Sequence, residues 1–295
     1  MVNMLNDFTN YLVTDKKVSA NTLQSYIRDV KQYMDYLKST GVSSCVDITP
    51  TAYLNYITYL QKMGKAPTSV SRVIASTRSF YRYLCDKKVC NINPVEKVHA
   101  LKSERKLPQI LTGDEIQLLL AQPSGEDFKG KRDKAMLELL YATGIRVTEL
   151  VSLNVGDINL DVGYIVCRRQ TKERVIPIYP RAAMALKNYI NQERSLMLDE
   201  NSDALFVNIN GARLTRQGFW KIIKSYTEKA NINKDITPHT LRHSFAAHLL
   251  ENGADIKSLQ EMLGHADVSS TQIYTSIIKN KINEVYKNAH PLARG

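Results

Sequence analysis

The sequence predicts a mainly α protein with one small β-hairpin, an α+β chain in two domains. Three observations carry that expectation. At 295 residues the chain is long enough to bury two separate cores. Apolar residues recur at helical spacing through most of it, and β-branched runs separated by a polar turn occur at 163–167 and 174–178. A charged stretch over 97–108, KVHALKSERKLP, is poor in bulky apolar side chains and reads as a linker. Residues 1–96 are therefore expected to form one domain, 97–110 a linker, and 111–295 a second domain.

Four helices account for the first domain. Met4, Phe8, Tyr11 and Leu12 share one stripe over residues 3–14. Ser19 caps a helix from about 20 to 39, whose apolar face is Leu23, Tyr26, Ile27, Val30, Tyr33 and Tyr36, and Gly41 ends it. A third helix spans 50–63 and stops at Gly64. A fourth follows Pro67 to about residue 87. It sets Arg72, Arg78 and Arg82 among Ser69, Ser71, Ser76, Thr77 and Ser79, with no acid before Asp86. Such a helix suits DNA phosphates. The alternative is a solvated surface helix, which more often mixes charge signs.

In the second domain, Thr112 and Glu115 have the spacing of a capping box at the start of a short helix. A helix from Lys129 to about Thr143 ends at Gly144, and the hairpin follows. Further helices are expected at about 180–197, 214–230, 238–251, 255–263, 268–276 and 279–288.

Charge and cysteine usage narrow the class. Forty Lys and Arg face 29 Asp and Glu, a net charge of +11. The first 106 residues hold 16 basic and 8 acidic side chains. That excess points to a polyanion, a nucleic acid or an anionic membrane surface. Cys45, Cys85, Cys90 and Cys167 form no C-x-x-C pair and no zinc spacing, so reduced thiols in a cytosolic protein are expected. The N-terminus lacks the basic start and apolar run of a signal peptide. No segment approaches 18 uninterrupted apolar residues, so no membrane span is expected.

Three segments carry chemistry. In Thr237-Pro-His-Thr-Leu-Arg-His-Ser244, Thr237 is an N-cap and Pro238 fits the first helical position. His239 and Arg242 then share one face at a helix start, where free amides favour anions. Arginine offers a planar fork and histidine exchanges a proton near neutrality, which fits a bound phosphodiester. His239 and His243, four apart, are the alternative metal reading, but the glutamate of H-E-x-x-H is missing. No metal is expected, and His243 and His248 read as packing histidines. In a second segment Gly264 ends a helix, His265 follows, and Tyr274 lies on the next short helix. A phenol of pKa about 10 needs cationic neighbours to become a nucleophile. In the third, Ala142-Thr-Gly-Ile-Arg-Val-Thr-Glu-Leu150, a left-handed Gly144 would close the preceding helix and place Arg146, with Glu149 positioned to orient it.

Taken together in chain order, the segments resemble the tyrosine recombinase family. Its pattern runs Arg in A-T-G-x-R-x-S/T-E-L, then Lys, H-x-L-R-H, L-G-H and Tyr. Length and domain content resemble the Xer recombinases most. The resemblance implies a SAM-like, four-helix core-binding domain and a catalytic domain of the DNA breaking-rejoining type. It implies that Tyr274 attacks a DNA phosphate held by Arg146, His239, Arg242 and His265, with no cofactor, ATP or metal. It also implies double-stranded DNA with inverted-repeat half-sites, held by a homo-tetramer or by a hetero-tetramer with a paralogue. A C-terminal docking helix would fall at 278–289, with Ile278, Ile282 and Tyr286 as its stripe. The location implied is the prokaryotic cytoplasm, at the nucleoid, with no membrane.

One position departs from the family. Its catalytic Lys sits in the hairpin, commonly in G-K-G-x-K-x-R-x-V-P. Here the hairpin reads Cys167-Arg-Arg-Gln-Thr-Lys-Glu-Arg-Val-Ile-Pro177. Counting back from Pro177 puts Arg169 at the Lys position, with Lys172 three residues on. Lys172 is expected to act, with Arg169 as the alternative, because a guanidinium of pKa above about 12 is a poor proton donor. Rival readings are a type IB topoisomerase and a DNA-binding regulator without catalysis.

Overall fold

Local signals set the helix boundaries of the first unit, and buried tyrosines fill it. The computed structural model describes residues 2–46, 48–99, 109–125, 127–169, 172–197 and 202–264. The chain divides into two units, Met1–Lys106 and Leu107–Gly295. The first holds α1 (Val2–Thr14), α2 (Ala20–Ser39), α3 (Pro50–Lys62) and α4 (Pro67–Asp86). Ser19 accepts from the Thr22 amide at the start of α2, and Thr49 from the Ala52 amide at the start of α3. Proline opens both α3 and α4. Tyr33, Tyr53, Tyr56 and Tyr81 are fully buried with Phe8 and Phe80. Three of the four phenols find buried partners, Tyr33 with Tyr81 at 2.9 Å and Tyr53 with Thr77 at 2.5 Å.

The polar face expected of α4 is partly internal. Ser76 and Thr77 are buried, and they bond Asp29 and Tyr53 rather than facing outward. Arg72 forks onto Asp29 of α2 through Nε and Nη2, each at 2.8 Å, and Asp29 is itself buried. Arg78 donates to the carbonyls of Val95 and Val98, and Arg82 lies 3.4 Å from Glu96. The acids missing from α4 thus come from α2 and from residue 96. Val95 and Val98 are buried in the same core, so the chain through Val98 packs with the first unit.

The second unit is built around two helices buried on most sides. It comprises α5 (Gly113–Ala121), α6 (Phe128–Thr143), α7 (Val147–Ser152), α8 (Pro180–Asn188), α9 (Arg216–Lys229), α10 (Pro238–Glu251) and α11 (Ile256–Leu263). Strands β1 (Ile158–Asn159), β2 (Tyr164–Arg169) and β3 (Lys172–Pro177) form an antiparallel sheet in that order. Ala135, Met136, Leu137, Leu139 and Leu140 of α6 are all fully buried, as are Leu241, Ala246 and Ala247 of α10. In the hairpin Ile165 pairs Ile176, Cys167 pairs Arg174, and Arg169 pairs Lys172. The inner register face therefore carries Ile165, Cys167, Arg174 and Ile176, while Val175 is exposed.

Three features differ from the sequence reading. Helix α7 and strand β1 were not expected; six and two residues are too short to show a period. The helix expected over 180–197 ends at Asn188 and continues as a π turn (Tyr189–Glu193) and a 3-10 turn (Arg194–Leu196). Tertiary bonds replace the regular pattern there. The Tyr189 hydroxyl accepts from the Val207 amide, and Arg194 donates to the carbonyls of Ala204 and Ser202. The helices expected at 268–276 and 279–288 lie outside the described residues.

The Arg72–Asp29 fork is asymmetric, with 40% of the arginine side chain exposed but 1% of the aspartate. Arg72→Ala strands a buried carboxylate and should cost roughly 3–5 kcal/mol. Asp29→Asn leaves the guanidinium to water and should cost only about 1–2 kcal/mol. Equal losses in urea unfolding of the whole chain would contradict this ordering.

Candidate active site

A helix end collects the cations of this unit. The last carbonyls of an α-helix lack intrahelical donors and carry partial negative charge. At α11 those carbonyls are met by three guanidiniums from three different elements. Arg242 of α10 donates Nη2 to Leu263 O at 2.7 Å and Nη1 to Gly144 O at 2.5 Å. Arg146, which precedes α7, places Nη1 3.5 Å from Leu263 O and Nη2 3.3 Å from Gly264 O. Arg174 of β3 donates Nε to Met262 O at 2.9 Å.

Glu149 of α7 is the counter-charge. Its carboxylate takes two bonds from Arg174, at 3.0 and 2.8 Å. It also accepts the Arg146 amide at 2.8 Å and, more weakly, Arg146 Nη1 at 3.3 Å. Burial alone would raise this carboxyl, but the Arg174 bonds, the Arg146 amide and both positive charges hold it below the usual range.

Two glycines make the approach possible. Gly144 and Gly264 cap α6 and α11 in the left-handed region, with φ of 57° and 61°. A Cβ on Gly264 would stand 2.8 Å from Arg174 Nη1, and one on Gly144 would stand 2.2 Å from the Phe245 ring. Both positions need positive φ and empty space together.

The start of α10 follows the expected pattern. Thr237 and Thr240 cap reciprocally, and Pro238 opens the first turn. His239 is exposed there, while Arg242, one turn on, is buried. His243 is half-buried, and its imidazole is pushed down to about 4 by burial, then by the nearby His239 and Arg242. His248 bonds the Tyr141 hydroxyl through Nδ1 at 2.9 Å, a packing role. Among the described residues, no group of three His, Cys, Asp or Glu side chains could hold a metal ion. None of their helices is long and apolar enough to cross a membrane.

The structure thus brings Arg146, Glu149 and Arg242 together at one helix end. His239 sits on the same helix as Arg242. Arg169 and Lys172 are direct register partners at the end of the hairpin. His265 and Tyr274 lie outside the described residues, immediately beyond the helix end and further along. Arg174 escaped the sequence reading. Its signal lay in the hairpin pattern: counted back from Pro177, the arginine of K-x-R-x-V-P falls on Arg174.

Known proteins resemble this chain in sequence and in fold. The phage integrase family model matches residues 109–281, and the model of the phage integrase N-terminal SAM-like domain matches residues 5–88. The chain is 45% identical to tyrosine recombinase XerD of Halalkalibacterium halodurans, over 99% of this chain and 98% of that protein. It is 42% identical to the XerD of Listeria innocua, over 99% and 100%. Among solved structures, the XerA recombinase is 30% identical and covers 98% of this chain and 99% of its own, with a TM-score of 0.56. The XerH site-specific recombinase bound to a palindromic difH substrate has a TM-score of 0.78 at 20% identity, covering 90% and 79%. These matches define a DNA strand-transferring enzyme, and the chain belongs to the phage integrase family. Within that family it is a site-specific tyrosine recombinase of the Xer type.

The depressed His243 sets a pH dependence. The unfolded imidazole titrates near 6.5 and the folded one near 4, so between these values the unfolded chain binds more protons. Stability should therefore fall as pH drops below 6.5, before carboxylates titrate below about pH 5. His243→Gln should flatten the slope of unfolding free energy between those two limits. An unchanged slope would show that His243 does not carry it.

Proposed function

We propose that the chain cuts and rejoins DNA at a specific site through a 3′-phosphotyrosyl bond to Tyr274. The observation that carries the reading is the Leu263 carbonyl shared by Arg146 and Arg242, two residues before His265. In this scheme the phenolic oxygen of Tyr274 attacks phosphorus and the bond to the 5′-oxygen breaks. Arg146 and Arg242 hydrogen-bond the non-bridging oxygens and stabilise the added charge of the five-coordinate transition state. His239 and His265 bond the same phosphate and assist the nucleophile, one of them accepting the single phenolic proton. Lys172, or Arg169 in its place, gives a proton to the departing oxygen. A 5′-hydroxyl of the partner strand then reverses the steps. The phosphodiester energy stays in the tyrosyl ester, so the scheme needs neither ATP nor a metal.

The substrate in this reading is double-stranded DNA with inverted-repeat half-sites. Four protomers hold two sites, as a homo-tetramer or with a paralogue, and residues 278–289 dock on the neighbour. Residues 1–96 serve as the core-binding domain, 97–110 as the linker and 111–295 as the catalytic domain. Arg72 and Arg82 keep 40% and 58% of their side chains exposed, which supports phosphate contacts beside their internal bonds; Arg78 joins them on α4. The setting is the bacterial cytoplasm, at the nucleoid, and the task that suits a Xer-type enzyme is chromosome dimer resolution.

A nicked suicide substrate tests the reaction. The wild type should form a covalent adduct and Tyr274→Phe none; an unchanged adduct in Tyr274→Phe would remove that residue from the chemistry. The same assay separates the hairpin candidates. Lys172→Ala should slow cleavage by about 10²- to 10⁴-fold, and a bridging sulfur at the leaving position should restore it, because a thiolate departs without an acid. The same pattern from Arg169→Ala, with Lys172→Ala unaffected, would assign the role to Arg169 instead.

A further inference from the structure

Arg174 has no part in the scheme above, yet its guanidinium makes two bonds to Glu149 where that of Arg146 makes one. Its side chain is 15% exposed and all three of its nitrogens are used: Nε on Met262 O, and Nη1 and Nη2 on the Glu149 carboxylate. It therefore ties β3 to both α7 and α11. It also lies two residues from Lys172 on one strand and opposite Cys167 on the other.

The charge balance shows what these bonds do. Two guanidiniums, those of Arg174 and Arg146, meet the one Glu149 carboxylate. The Arg174 contacts to Glu149, at 2.8 and 3.0 Å, are shorter than the 3.3 Å contact from the Arg146 guanidinium. Glu149 is thus paired chiefly with Arg174, and Arg146 is held mainly through its own amide and the α11 carbonyls. Without Arg174, a carboxylate only 11% exposed would keep Arg146 as its nearest cation. A buried carboxylate recruits the cation within reach, and a bidentate pair is the favoured geometry. Arg146 would then turn toward Glu149.

We propose that Arg174 is a positioning residue for strand cleavage: by pairing with Glu149 it leaves the Arg146 charge for the scissile phosphate. The inference rests on the cleavage reaction proposed above, in which Arg146 contacts that phosphate.

The test is a set of single-turnover cleavage rates on the nicked substrate, with DNA affinity and thermal unfolding measured alongside. Arg174→Gln should cleave about 10- to 100-fold more slowly, the scale of a misplaced catalytic group, while DNA affinity stays near the wild-type value. Adding Glu149→Gln to that variant should recover at least about tenfold of the loss, because an uncharged amide no longer draws Arg146 away. A purely structural role predicts the opposite, since the double variant loses still more contacts. Arg174→Lys, which keeps the charge, should cleave faster than Arg174→Gln and serves if the glutamine variant does not fold. Wild-type cleavage by Arg174→Gln, or a double variant no faster than Arg174→Gln, would overturn the proposal. A crystal structure of Arg174→Gln, or of Arg174→Ala should that variant not fold, decides the matter independently of activity. It should show Arg146 bound to Glu149 through two guanidinium nitrogens, and an Arg146 left in its wild-type place would also overturn the proposal. If the wild type formed no Tyr274-dependent adduct, the cleavage reaction would be wrong, and the crystal structure would still decide whether Arg174 holds Arg146 off Glu149.

Discussion

The carboxyl end of α11 is the constraint on which the second unit's chemistry depends. Three consecutive carbonyls, those of Met262, Leu263 and Gly264, accept from Arg174, Arg242 and Arg146. Guanidiniums gathered this closely repel one another. The partial negative charge of the helix end and the Glu149 carboxylate offset that repulsion. The result is a cluster held by bonds within the chain itself. Such preorganisation gives electrostatic stabilisation its strength, because no dipole has to be reoriented as charge develops.

The same cluster explains the packing around it. Arg242 reaches Gly144 O because α10 lies against the end of α6, with the Phe245 ring filling the space over Gly144 where a side chain would otherwise stand. Arg174 fills the corresponding space over Gly264. Each left-handed cap is therefore covered by a neighbour that the site uses or rests on. A Cβ at either glycine would displace an aromatic ring or a guanidinium, and with it the register of two helices.

Much of this was legible in the sequence wherever the cause is local. Ser19, Thr112 and Thr237 mark helix starts through side-chain bonds to residues three positions on. Gly144 marks a helix end, and the Arg146–Glu149 spacing foretells their contact. What stayed hidden depends on partners distant in the chain. Asp29 lies 43 positions from Arg72, which it neutralises, and this turns part of an apparent DNA-facing helix inward. Arg174 is tied to Met262, 88 positions away, and a strand pattern alone does not distinguish an inward arginine from an outward one. The break of α8 at Tyr189 follows from Val207 and Ala204, not from any local breaker.

The hairpin is where the chain departs from the family pattern, and its register relates the two candidate residues. Arg169 and Lys172 are direct partners in the β2–β3 register. Residues opposite one another in an antiparallel pair have Cβ atoms about 4.5–5.5 Å apart and share a face of the sheet. Position along the sequence separates the two candidates by three residues, whereas the sheet places them at the same level. Chemistry then distinguishes them: an ammonium of pKa about 10.4 gives up a proton far more readily than a guanidinium above about 12.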